Sequence, residues 1–292
     1  MKNLNKEYDA FGPWIIEITN QEDVPEHFDS FYIYNREASV VLKIPINISR
    51  RNVRPGDILY KSLVAFEKDQ IIALDWKNGK VLKETVKYNA IRSIQNKVDL
   101  LNGRLIIHSD NKSIEIPYNT VSKNLISDTV FNLRKKYIDY FTKTKIDNQI
   151  MKDYSHPTNY FFKGILTKIK EKETVFILDT QETKVIEKLS KNWYDPLIDI
   201  YNPMLFQKNM LLTNNKELII ISRKNGLKRK RSSDYSHINT YIPLENLINI
   251  RYESHELYSD IYKVSFNLPK INHIFYVQKP LSDFLVNKLI LS

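Results

Sequence analysis

The sequence predicts a β-rich α+β protein built from two related halves, each a sheet capped by a C-terminal helix. Three observations carry this prediction. Short apolar runs alternate with turn residues along most of the chain, the same order of runs occurs twice, and each set of strands gives way to helical spacing.

In the first half, 59–66 and 70–76 read as strands around a Lys68-Asp69 turn. The Asn78-Gly79 pair has the left-handed backbone tolerance that a tight hairpin turn needs. Segments 81–88, 91–98 and 104–108 continue the sheet, and Asp110-Asn111-Lys112 turns into a strand over 113–118. Beyond Pro117 the period changes, because Ile126, Val130, Leu133, Tyr137 and Phe141 recur at helical spacing. A helix with that apolar stripe can cover one face or end of a single sheet. The second half repeats the order with strands over 205–212 and 217–222 around Asn214-Asn215. Tyr262, Val264, Phe266 and Leu268 alternate as in a half-buried strand. Pro280 then opens a helix with Leu281, Leu285 and Leu289 on one face. Segments 28–48 and 174–189 look β-like and can supply further strands or the join between halves. The polar stretch 140–157 marks the boundary, giving units 1–141 and 142–292.

The repeat is visible as steady offsets. Ile58-Leu59-Tyr60 falls on Met204-Leu205-Phe206 (204 − 58 = 146), and the same offset sets Ile72 on Leu218. Lys77-Asn78-Gly79 meets Lys224-Asn225-Gly226 at 147, and Ile91-Arg92-Ser93-Ile94 meets Leu247-Ile248-Asn249-Ile250 at 156. Ile126-Ser127-Asp128 meets Leu281-Ser282-Asp283 at 155. The single jump lies after Asn225-Gly226, where a turn tolerates an insertion.

Composition narrows the function classes. Six Gly in 292 residues are few for phosphate-cradling loops, and the absence of Cys removes disulfides, thiolate metal sites and Cys nucleophiles. The six histidines (His27, His108, His156, His237, His255, His273) include no pair at metal-ligand spacing, so no metal or cofactor is expected. No Gly-Xaa-Ser-Xaa-Gly turn or phosphate-binding loop occurs, and the expectation is a protein that is not an enzyme. The start has no apolar core of a signal peptide, and no apolar run nears the roughly 20 residues of a membrane span. The chain therefore reads as soluble and cytoplasmic, or at most peripheral to a membrane. Its net charge of +10 favours anionic partners.

The run from Leu59 to Tyr137 resembles the bacterial pleckstrin-homology-like domain. The resemblance lies in the apolar strands 64–74, the Asn78-Gly79 turn, Ile91-Arg92-Ser93-Ile94, Leu100 to Ile107 and the final helix from Ile126. The stretch 203–291 is similar to a more divergent copy. The resemblance implies two tandem units, each a strongly bent antiparallel sheet or barrel closed at one end by the helix. It also implies binding and assembly rather than catalysis, through unidentified protein partners, and is compatible with a homo-oligomer. The family fold has seven strands, one more than either run contains, and an upstream segment is available to supply it.

Arg223-Lys224-Asn225-Gly226-Leu227-Lys228-Arg229-Lys230-Arg231 is the most conspicuous candidate site. It reads as a long hairpin loop whose cations, Arg223, Lys224, Lys228, Arg229, Lys230 and Arg231, can neutralise phosphates on a lipid surface. A second class of partner is nucleic acid, held by the same loop. Tyr235 and Tyr241 follow it but are expected to serve the returning strand, and Trp14 is expected in the core.

Overall fold

The computed structural model describes residues 7–9, 11–138, 157, 160–189, 199–280 and 289. It is β-rich, with antiparallel sheets and few helices. In chain order the first strands are β1 (Ile16–Glu17), β2 (Val40–Pro45), β3 (Tyr60–Phe66), β4 (Gln70–Lys77), β5 (Lys80–Lys87) and β6 (Ile91–Asp99). β7 (Asn102–Ser109), β8 (Ser113–Asn119) and helix α1 (Lys123–Ile138) follow. Then come helix α2 (Tyr160–Lys170), β9 (Phe176–Gln181), β10 (Lys184–Val185), β11 (Met204–Phe206), β12 (Asn209–Thr213) and β13 (Glu217–Ser222). The last are β14 (Leu227–Arg229), β15 (His237–Pro243), β16 (Asn249–Ser254), β17 (Tyr262–Leu268) and β18 (Ile271–Val277).

The chain divides into two compact units, one holding residues 1–91 and 100–140, the other 92–99 and 141–292. In the first, β1-β2-β3-β4-β5 form an antiparallel sheet in that order, and β7 and β8 form a hairpin. Asn78 and Gly79 both take positive φ, 51° and 76°, which is the tight turn that their sequence predicts between β4 and β5. Ile18, Phe28, Val41, Leu63 and Leu74 pack into one core cluster. Helix α1 buries Ile126, Val130, Leu133 and Tyr137, the predicted stripe; Phe141 lies outside the described residues. Each such side chain taken out of water contributes roughly 1.5–3 kcal/mol. Lys136 of α1 donates to the Glu67 carbonyl at 2.7 Å and lies 5.4 Å from the Tyr88 ring centroid, which ties the helix to the β3–β4 turn.

In the second unit β6-β15-β13-β12-β9 are neighbours in that order, β16-β17-β18 form a three-stranded sheet, and β10-β11-β14 form a smaller one. Leu218, Ile220, Ile242, Val264 and Phe266 anchor its main core, joined by Leu289, which is helical and buried. The other residues of the predicted C-terminal helix, Leu281 and Leu285, lie outside the described residues.

Backbone hydrogen bonds recur between the two runs. Glu67 N donates to Gln70 O, and Asn214 N to Glu217 O, at an offset of 214 − 67 = 147. Tyr88 N donates to Asp69 O, and Leu244 N to Lys216 O, which keeps 147 for the acceptor and gives 244 − 88 = 156 for the donor. Both positions open a single 3-10 turn, Tyr88–Ala90 and Leu244–Asn246. The register of β3 and β4 against β12 and β13 is thus 147, since Phe66 opposes Ile71 where Thr213 opposes Leu218. The offset of 146 read from the sequence is one residue short, because both strands are apolar on nearly consecutive positions and period-2 alternation cannot fix their register.

Two further expectations are corrected. The run 205–212 is two strands, β11 and β12, separated at Gln207-Lys208. Trp14 is 42% exposed, while Phe11 and Ile15 take the core positions. Its ring lies over Gly12, where a Cβ atom would come within 2.1 Å of it.

Two measurements test this packing. Gly103 faces the Tyr118 ring across the β7–β8 hairpin, where a Cβ would sit 2.1 Å from the ring. Gly103→Ala should cost about 1–3 kcal/mol in a denaturant titration, and Tyr118→Leu in the same chain should add less than its cost alone. His27 packs 5.2 Å from the Trp76 ring centroid, and burial lowers its pKa despite a hydrogen bond with the Tyr60 backbone. The unfolded chain then takes up the proton first, so stability should fall as pH drops from about 6.5 toward the lowered value. Comparing denaturation midpoints at about pH 7 and about pH 5.5, His27→Gln should show a smaller acid loss than the wild type.

Candidate functional site

The cations of 223–231 do not share one mobile loop. Arg223 lies just past the end of β13, and its neighbours follow from the ladders of the second unit. Asn209 opposes Ser222 and Gln181, and Ser222 opposes Ile238. Lys208 and Arg223 directly follow these ladder ends, Lys208 lies within electrostatic reach of both Arg223 and Glu182, and Arg223 and His237 both pack on the Phe161 ring. Helix α2 supplies aromatic surfaces to this row. The Arg223 guanidinium lies 4.4 Å from the Phe161 ring centroid and the Lys208 ammonium 5.5 Å from that of Phe162. The Phe161 and His237 rings meet edge to face at 5.6 Å.

Hydrogen bonds fix the row. Arg223 Nη1 donates to the Ser236 carbonyl at 2.6 Å, and Lys224 N donates to Ser236 Oγ at 2.8 Å. Gln207 Nε2 donates to Asn225 O at 2.5 Å and to Asp234 Oδ2 at 2.6 Å. Burial alone would raise the Asp234 carboxyl, but hydrogen bonds from Ser236 and Gln207 outweigh it and hold the group below the usual carboxylate range. Burial lowers the pKa of Arg223, with Asp234 opposing. It also lowers that of Lys208, where Arg223 adds repulsion and Glu182 opposes. Two half-buried cations therefore stand side by side on a strand end, an arrangement that like charges disfavour and an anion bridging them would relieve.

The remaining predicted residues are divided. Residues 227–229 form strand β14, which pairs with β11. Arg229 makes an ion pair with Asp199 at 2.9 Å and donates to the Asn202 carbonyl, while Lys228 donates to the Ser232 carbonyl. These two are held within the fold. Lys224 is exposed and lies 3.4 Å from Asp99. Lys230 and Arg231 are exposed and bonded through their backbone amides, to Pro203 O and Asn202 Oδ1. Gly226 does not take the positive φ of Gly79; it is small because a Cβ there would meet the Tyr276 ring at 2.6 Å. Of the two following tyrosines, Tyr241 is buried in β15, whereas Tyr235 is exposed.

The sequence reading missed Lys208, Phe161 and Phe162. An aromatic pair opening a helix, followed some 46 residues later by a lone lysine (208 − 162 = 46), has no local signature, and only strand pairing brings them together. It also missed a buried pair, Ser93 Oγ and His273 Nε2 at 2.7 Å. The Gln95 amide nitrogen faces His273 Nδ1 at 3.3 Å and donates to Thr240 Oγ1 at 3.1 Å. Nδ1 is thus the acceptor and Nε2 carries the proton, so His273 donates to Ser93, the reverse of what activates a serine nucleophile. In the first unit, an open cleft of about 590 Å³ is lined by Phe31, Tyr32, Asn35, Glu67 and Gln70. Both Glu67 carboxylate oxygens already accept, from Tyr32 at 2.8 Å and Asn35 at 2.6 Å, and burial with that carboxylate holds the Tyr32 hydroxyl far above its usual range.

The charged row makes a prediction about stability. Lys208→Met keeps the stem over Phe162 and removes the repulsion with Arg223. Without an added anion it should raise stability by a few tenths to about 1 kcal/mol, read from the denaturant midpoint. Phosphate at millimolar concentration should stabilise the wild type more than the variant.

No protein-family model matches the chain, and no curated protein matches it either.

Proposed function

We propose that the chain is a non-catalytic binding or scaffold protein of the bacterial pleckstrin-homology-like type, in two tandem units, which contacts protein partners and attaches to anionic surfaces. The order of elements supports the fold reading. In the first run β2 precedes β3–β5, a 3-10 turn and β6–β8; in the second β9 precedes β12, β13 and β15, a 3-10 turn and β16–β18, with β10, β11 and β14 inserted as a separate small sheet. β2 and β9 pair with β3 and β12, which supplies the upstream strand that the repeat alone lacks.

One observation carries the anionic arm: Lys208 and Arg223 are close, mutually repelling cations at a sheet end, half-buried on Phe161 and Phe162, and no ion pair within 4.0 Å joins either to a carboxylate among the described residues. A phosphate group fits there, because Arg offers a planar pair of donors and Lys a compact charge. The exposed Lys230 and Arg231 add long-range attraction that salt screens. The shared chemistry belongs to lipid headgroups and nucleic-acid backbones alike. The half-buried, two-cation geometry favours a single terminal phosphate over an extended polyanion.

Vesicles with and without anionic lipid, and a short DNA duplex, separate these readings in a salt titration. Binding to anionic vesicles should weaken roughly tenfold or more in Arg223→Ala and in Lys208→Met, and only modestly in Lys230→Ser/Arg231→Ser. Arg229→Ser should act mainly on stability. Duplex binding that exceeds vesicle binding moves the assignment to nucleic acid, and failure to bind either at moderate ionic strength removes the anionic arm.

A further inference from the structure

The second unit contains a strand-to-strand contact that the rest of the chain is equipped to make again. β6, which belongs to the first run by sequence order, pairs antiparallel with β15 of the second run. Ile94 opposes Tyr241, Gln95 opposes Thr240, and the ladder continues to Val98 opposite His237. Under the 156-residue correspondence (244 − 88 = 156), the counterpart of β15 is β5 and that of β6 is β16. Both counterparts are terminal strands of their sheets among the described residues.

Their exposure fits unfilled positions. β15 is buried along Thr240–Pro243, whereas β5 shows Lys80, Leu82, Lys83, Thr85 and Lys87 to solvent. β16 is likewise exposed at Arg251, Glu253 and Ser254. Moving the β6–β15 register by 156 sets Ile250 opposite Thr85, Arg251 opposite Glu84, Tyr252 opposite Lys83 and Glu253 opposite Leu82. The chemistry matches at the positions that matter within the existing contact. Where Gln95 donates to Thr240 at 3.1 Å, the moved pair is a cation, Arg251, facing a carboxylate, Glu84. Where Arg92 and Asn246 exchange hydrogen bonds, the moved pair is Ile248 with Ala90, an apolar pair whose Ile248 is now 55% exposed. Leu82, 49% exposed on the β5 edge, would be covered as well. The competing partner of Glu84, Lys112, stands at 4.0 Å and both side chains are substantially exposed, so it offers little resistance.

We propose that β5 and β16 are the two halves of a self-association surface, β16 of one copy of this chain adding as a strand to β5 of the next in the register that β6 and β15 already use. The contact uses different surfaces on the two partners, so it propagates head to tail into a ring or a filament. It is independent of the anion-binding reading, which uses neither strand.

Sedimentation velocity of the full chain over a concentration series tests this. The wild type should form species larger than a dimer as concentration rises. Glu84→Arg alone and Arg251→Glu alone should each weaken association roughly tenfold, because each places like charges opposite one another. The chain carrying both changes should recover it. The native chain has no cysteine, so a mixture of Leu82→Cys and Glu253→Cys chains should give a disulfide-linked pair on mild oxidation. A wild type that stays monomeric to about millimolar concentration, association indifferent to both charge reversals, or a double change without recovery overturns the proposal.

Discussion

An antiparallel sheet has to end, and the outward amide and carbonyl groups of its last strand must be paired, wetted or blunted. This constraint organises the molecule. β15 follows β13 in its sheet, and the edge beyond it is filled by β6, a strand taken from far upstream. With β6 alongside, no residue of β15 is exposed, whereas β5, its counterpart, is a charged strand with Lys at 80, 83 and 87. Lysines are a common means of keeping an edge in water. The buried set of Ser93, Gln95, Thr240 and His273 follows from the same pairing, since polar side chains drawn into the core by β6 must satisfy one another.

The charged row at Lys208 and Arg223 shows the same sheet geometry acting on electrostatics. Cross-strand neighbours share a face, so two cations in register are forced together whatever their distance in sequence. Aromatic rings from α2 hold their stems and faces, which favours cations there while removing part of their hydration. Of the nearby carboxylates, Glu182 acts on Lys208 and Asp234 on Arg223, and Asp234 is occupied by Gln207 and Ser236.

Much of the strand order was legible because turn chemistry is local. Asn78-Gly79, Asn214-Asn215 and the α1 stripe from Ile126 to Tyr137 each announce themselves within a few residues. What escaped was whatever depends on pairing between distant strands. The sequence places 91–98 in the first half and has no means of showing that most of that strand is packed with the second. It shows nine basic-rich residues in a row but not that Arg229 serves Asp199, nor that Lys208 is the true neighbour of Arg223. Trp14 misled for a different reason. Its size argues for burial, but Phe11 and Ile15 on either side fill the interior and leave it to shield Gly12.

The membership of β6 also has a consequence in time. Gln95 and Thr240, adjacent in the finished sheet, are 145 residues apart in the chain. At about 5–20 residues per second on the ribosome, the first emerges on the order of ten seconds before the second exists. During that interval a strand that carries the hydrogen-bonding side chains of Ser93 and Gln95 waits without β15, and any strand edge within reach is a rival for it.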